Sequence, residues 1–213
     1  MADVRAARRA REEERRRRTS RIQISLDPRE QSLLYCELEL LLTTAVDTYI
    51  TSQFNAGRLD ADKHKKVADA WQHKGRPRVV GFRYDLETQL ELVQLHVAQF
   101  RFYGSRSGTP VAIAGVLDMI RVDARAMRIR TFCQPDSVIA KQLLDAQHLF
   151  NTLGCPEPRQ IQLAEVTQFF KTVVERERVF RGGSTASGLV AGHTNSGTQD
   201  RNAPIAGSPS GAT

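Results

Sequence analysis

From residue 28 onward, apolar side chains recur at three- and four-residue steps, the spacing of a helix with one buried face. In 28–56, Leu34, Leu38, Leu41, Ala45 and Tyr49 make a stripe that Leu33, Leu40, Leu42, Val46 and Ile50 widen into the arc of a central helix. Asp27-Pro28-Arg29-Glu30 supplies its start, because an aspartate can cap free amides, proline suits the first turn and a glutamate three residues on completes a capping box. Gly57 is its expected stop. A second helix is expected over 61–74, capped by Asp60 or Asp62, with Val67 and Trp71 inward and Gly75 and Pro77 ending it. A third starts after Asp85 and turns Leu86, Leu90, Val93, Val97 and Phe100 inward as far as Gly104. Its outer face is Glu87, Glu91, Gln94 and Arg101.

Three more segments follow the same rule. Thr109-Pro110 opens a helix with Ile113, Val116, Ile120, Ala124 and Met127 on one stripe, and Pro135 comes just after its end. Asp136 or Ser137 caps the next, whose inner face is Ile139, Leu143, Ala146, Phe150 and Leu153 before Gly154. A last helix over 157–180 turns Leu163, Val166, Phe169, Phe170 and Val173 inward. Outside these segments, residues 21–26 alternate Ile22, Ile24 and Leu26 with polar residues, a short extended piece that as a strand would need a partner. Residues 78–84 read as a brief strand or a loop.

The two ends differ from the middle. Residues 3–18 favour helix by propensity but lack an apolar face. From 182 the composition changes to Gly, Ser, Thr, Ala and Asn, too few large apolar groups to offset the entropy of folding. The expected organisation is an arginine-rich arm over 1–26, a helical domain over 27–181 and a disordered tail over 182–213. The fold class is mainly α: an irregular bundle of about five to six helices, since no solenoid period repeats.

Composition narrows the classes. At 213 residues and 40% hydrophobic, the middle of the chain can bury a real core. No stretch reaches the roughly 18 apolar residues that cross a membrane, since Glu39 and Asp47 interrupt the leucine-rich run. No apolar segment follows the N-terminal arginines, no glycosylation acceptor occurs, and Cys36, Cys133 and Cys155 form no close pair, so an intracellular place, nuclear or cytoplasmic, is expected.

Charge is the informative feature. The formal net charge is +7, yet residues 1–21 alone hold nine arginines against four acids and residues 63–78 hold six cations against Asp69. Each cluster carries +5, so the remainder of the chain is mildly acidic. Excess charge confined to two short regions suits a localised anionic partner. The candidate contacts are Arg8, Arg9, Arg11, Arg15, Arg16, Arg17 and Arg18 in the arm, then Lys63, Lys65, Lys66, Lys74, Arg76 and Arg78. A third group, Arg121, Arg125 and Arg128, stands at four- and three-residue steps on one helix face. If that face turned toward residues 63–78, the two would merge into one patch.

No catalytic, cofactor or metal constellation is legible. None of the five histidines is spaced with another His or Cys as a ligand pair; His148 reads as part of a polar face with Lys141 and Asp145, and His64 and His96 as boundary packing. Asp60-x-Asp62 resembles the opening of a calcium loop but has Trp71 where a bidentate glutamate belongs. The glycine loops at 104–108 and 182–183 lack the Gly-Lys-Ser/Thr ending of a phosphate loop. Asp118 and Asp123 fall on different helix faces. Trp71 sits at core spacing, which favours packing over base stacking. The expectation is a non-enzymatic helical module that binds a macromolecular partner, a protein foremost, through its helical surface and basic patches. The alternative is a weakly sequence-specific nucleic-acid-binding protein that uses the arginine arm.

Overall fold

A computed structural model describes residues 22–105, 107–129 and 131–186, the last six as helix backbone only. The arginine arm up to residue 21 and the segment 187–213, where a disordered tail is expected, lie outside the described residues. Among the described residues six helices follow one another: α1 (Pro28–Asn55), α2 (Ala61–His73), α3 (Leu86–Leu95), α4 (Pro110–Ile129), α5 (Asp136–Leu153) and α6 (Glu157–Ala186). The described residues form no strand. By contacts the chain divides into 1–177 and 178–213. The first unit is a helical bundle, and the described part of the second is helical, the end of α6.

The long first helix is built where the chain pattern placed it. The Asp27 carboxylate accepts the Glu30 amide at 2.8 Å and the Glu30 carboxylate accepts the Asp27 amide at 3.0 Å, a reciprocal capping box. Its packed face touches α3, α4 and α5, and Leu38, Val46 and Ile50 are wholly buried there. Truncating one such leucine to alanine typically costs about 2–5 kcal/mol. At the start of α1 Arg176 of α6 pairs with Glu30 at 2.8 Å, and at its end Arg159 of α6 shares a cleft with Ser52, so α6 runs antiparallel along it. Asp60 and Asp85 cap α2 and α3, each accepting the amide three residues on.

Packing corrects several expectations and decides between the alternatives left open in others. Leu33 and Leu40 are 58% and 60% exposed on a stripe that no other described helix covers, and Phe169 of α6 is 39% exposed. Residues 78–84 are a loop with a turn at Gly81, where φ is +67°. Segment 22–26 is extended but joins no ladder. It is tied instead to the start of α5, because both oxygens of Asp136 accept from Ser25, at 2.8 Å from its amide and 2.7 Å from its hydroxyl. Asp136 is thereby spent on a distant segment, and α5 starts after Pro135 without a side-chain cap. The third helix stops at Leu95, well before Gly104. His96 ends it: the ring accepts the Asp60 amide at 3.0 Å and its Nδ1 lies 2.7 Å from the Leu92 carbonyl, and the chain then proceeds in turns to Phe100. At the other end of the domain α6 continues through Gly182 to Ala186, six residues past its expected end.

Candidate functional site

The second basic cluster sits on α2 and the loop that follows it. Lys65, Lys66, Lys74, Arg76 and Arg78 are exposed and Lys63 is half-buried. Of these six, only Arg76 forms a close ion pair among the described residues, with Asp85 at 3.4 Å, while the amide of Lys63, helped by its charge, lowers the pKa of the Asp60 carboxyl. The other five form no ion pair among the described residues. Arg76 also lies over the Trp71 ring at 5.1 Å from its centroid. Trp71 itself is only 7% exposed, donates its indole N–H to the Pro77 carbonyl at 2.7 Å and meets Tyr84 edge-on. It therefore fastens the basic loop to α2 and offers no open face for stacking.

The third basic group has a different fate. Arg125 binds Glu87 through its Nε at 2.8 Å, and Arg128 reaches both Glu87 and Asp85 at 3.2 Å. Arg121 is held by Gln94 and by Asp118, the latter at 3.6 Å. Burial works against the charged form of Asp85, but hydrogen bonds from Thr88 and the charges of Arg128 and Arg76 outweigh it and hold the carboxyl below its ordinary range. The arginine stripe of α4 thus faces the polar side of α3 and is largely neutralised by it. It touches the 63–78 cluster at one point, where Arg128 and Arg76 share Asp85. No single patch of nine free cations forms. The seven arm arginines, Arg8 to Arg18, lie outside the described residues.

Two histidines are structural. His96 is fully buried, stacked on Phe100 at 4.7 Å, and held at both ring nitrogens, by the Asp60 amide and the Leu92 carbonyl. His64, half-buried between Phe82 and Tyr84, has its pKa lowered by burial and by the nearby His96.

A buried polar cluster was not anticipated. Asp123 of α4 and Asp145 of α5 are both buried, joined by Lys141, whose ammonium lies 3.7 Å from Asp123 and contacts Asp145 directly. Burial pushes the Asp123 carboxyl up to about 6 against the pull of the Lys141 charge, and the neighbouring Asp145 charge pushes the same way as burial. The same burial, together with the charge of Asp123, raises the Tyr35 hydroxyl to about 12. One oxygen of Asp123, the Tyr35 hydroxyl and both polar atoms of the Gln142 side chain have no hydrogen-bond partner. A signal did exist: Asp123 lies three residues after Ile120 and four before Met127, a polar residue on an apolar stripe. Asp145 gave none, since Lys141 four residues before it made a solvated pair the natural reading.

A recess of 230 Å³ opens between the end of α1, the segment around Tyr103 and the α5–α6 junction. A second, of 170 Å³, lies on the other side of Tyr103 against His148 and Asn151. Burial holds the Cys155 thiol in the first recess at about 11, so it is no nucleophile. Cys36 and Cys133 are exposed, and no described cysteine forms a disulfide. Among the described residues no group of three or more His, Cys, Asp or Glu is placed to hold a metal, and no helix is long and apolar enough to cross a membrane. Compared with family models, with curated proteins and with solved structures, the chain matches none of them.

Proposed function

We propose that this protein is a non-enzymatic interaction module that docks an acidic macromolecular partner, a protein foremost, on the face formed by α2 and residues 74–83. The observation that carries the reading is the difference between two basic groups. The arginines of α4 are neutralised by Asp85, Glu87 and Asp118, whereas Lys63, Lys65, Lys66, Lys74 and Arg78 have no ion pair among the described residues. Cations left unpaired on a rigid helix and a loop pinned by Trp71 keep their full charge for a partner, steer its approach and cost little ordering on binding. The N-terminal arginines add a longer-range attraction that weakens with salt.

Capture of partners by the full chain, by a Lys65→Gln, Lys66→Gln, Lys74→Gln, Arg78→Gln variant and by a chain lacking residues 1–21 tests this. Acidic proteins retained by the parent and by the shortened chain, but lost with the fourfold variant, are the expected result. Salt-steep binding of random RNA or DNA that vanishes with residues 1–21 would instead favour the nucleic-acid reading. Equal capture by parent and fourfold variant would refute the docking face.

A further inference from the structure

The recess beside Tyr103 has the chemistry of a ligand site that the docking face does not use. Its lining combines apolar groups, among them the Tyr103 ring, Leu153 and Pro156, with hydrogen-bonding ones, Ser52, Gln53 and Arg159. Among the described residues lining it there is one cation and no carboxylate. The Cys155 thiol stays protonated and adds no negative charge. An anion therefore meets an attractive field inside the recess.

The donors are arranged in advance. Gln53 is almost wholly buried, and its Oε1 accepts from Arg58 at 3.0 Å and from the Arg101 amide at 3.0 Å. With the oxygen so occupied, the amide nitrogen is the end left to donate. Arg159 uses Nη1 on Gln162 at 2.9 Å, which leaves the rest of a forked guanidinium for a carboxylate. The apolar lining is equally fixed. Tyr103 rests on Gly154, where an added Cβ would fall 2.5 Å from the ring, the Arg101 guanidinium lies 5.4 Å from the ring centroid, and the Tyr103 amide donates to the Thr152 carbonyl at 2.9 Å. Tyr49, behind it, is tied by its hydroxyl to the Arg101 carbonyl at 2.9 Å.

We propose that this recess binds a small monocarboxylate with an apolar body, its carboxylate on Arg159 with Ser52 and Gln53 as further donors, its body against Tyr103, Leu153 and Pro156. Size agrees: a dry cavity of about 150 Å³ accepts benzene, so 230 Å³ holds one ring or a short chain plus the acid group. The larger hydrophobic recesses that take drug-sized ligands exceed about 300 Å³, which excludes a nucleotide or a folded peptide.

The test is a titration of the full chain with benzoate, phenylacetate and hexanoate by calorimetry and ligand-observed NMR, with phenylacetamide as the uncharged match. A charge-assisted hydrogen bond contributes enough to make the acid bind about tenfold more tightly than the amide. Arg159→Gln is expected to bring the acid down to the level of the amide. Ser52→Phe, at an exposed position that tolerates bulk, is expected to fill the recess and abolish both. Absence of saturable binding by all three acids, equal binding of acid and amide, or binding indifferent to both substitutions would each overturn the proposal.

Discussion

Replacing Asp123 by Asn exchanges one carboxyl oxygen for an amide NH2 within the buried polar cluster of the bundle. The carboxyl is buried beside Asp145, and Lys141 at 3.7 Å only partly compensates. Burial pushes its pKa from 3.8 up to about 6. Because the folded-state value is raised, the folded protein holds a proton that the unfolded chain has released between those two values. The stability this contributes is fully present below pH 3.8 and is lost as the pH rises through about 6. A gap of about two pKa units corresponds to roughly 3 kcal/mol. Asparagine cannot ionise, so the variant escapes this loss. Relative to the parent it is expected to gain on the order of 3 kcal/mol between about pH 4 and pH 7. At a slope of about 2 kcal/mol per molar urea the difference is a midpoint shift of about 1.5 M. Urea titrations of both proteins at several pH values, followed by circular dichroism, read it directly, and titrating groups distant from Asp123 cancel in the difference. A parent-to-variant difference that stays flat with pH would refute the reasoning. So would a variant that becomes the weaker protein at neutral pH, since Asp123 would then be a net stabilising partner of Lys141.

Other substitutions probe separate parts of the fold and site. Gly154 has φ of +66° and lies under the Tyr103 ring, so Gly154→Ala is expected to cost about 2–3 kcal/mol in urea unfolding. Gly154→Asn, which tolerates that backbone better but still carries a Cβ, is expected to lose a comparable amount, which isolates the clash. His96→Ala removes a fully buried ring and leaves the Asp60 amide without its acceptor, an expected loss of about 2–4 kcal/mol by thermal or urea unfolding. His64 has its pKa lowered in the fold, so its neutral form contributes stability above about pH 6.5 that is lost as the pH falls through the lowered value. His64→Gln is expected to flatten that part of the stability profile. Glu87→Gln releases Arg125 and leaves Arg128 with Asp85 alone, at a cost of at most about 1 kcal/mol, because the pairs are partly exposed. The variant should then elute from a heparin column at higher salt than the parent.

The helices were legible because each follows from a local rule. The 3.6-residue recurrence of apolar positions located the buried faces of all six, and the caps at Asp27, Asp60 and Asp85 depend only on residues three positions apart. The basic cluster on α2 was equally legible as charge, and Trp71 as a packing residue. What sequence could not show was which of those charges would remain free. Arg125 and Arg128 meet Glu87 across about forty residues of chain, and only the packing of α4 against α3 neutralises them. The same holds for Asp136, drawn from its expected capping role by Ser25, and for His96, which ends α3 early by bonding the start of α2. The exposure of Leu33, Leu40 and Phe169 depends on how wide an arc the neighbours cover, a property of the assembled bundle. Periodicity and caps are short-range interactions written in neighbouring residues. The buried Asp123–Lys141–Asp145 cluster, the recess at Tyr103 and the division between neutralised and free cations arise from contacts between residues distant in sequence, and so were decided by tertiary structure alone.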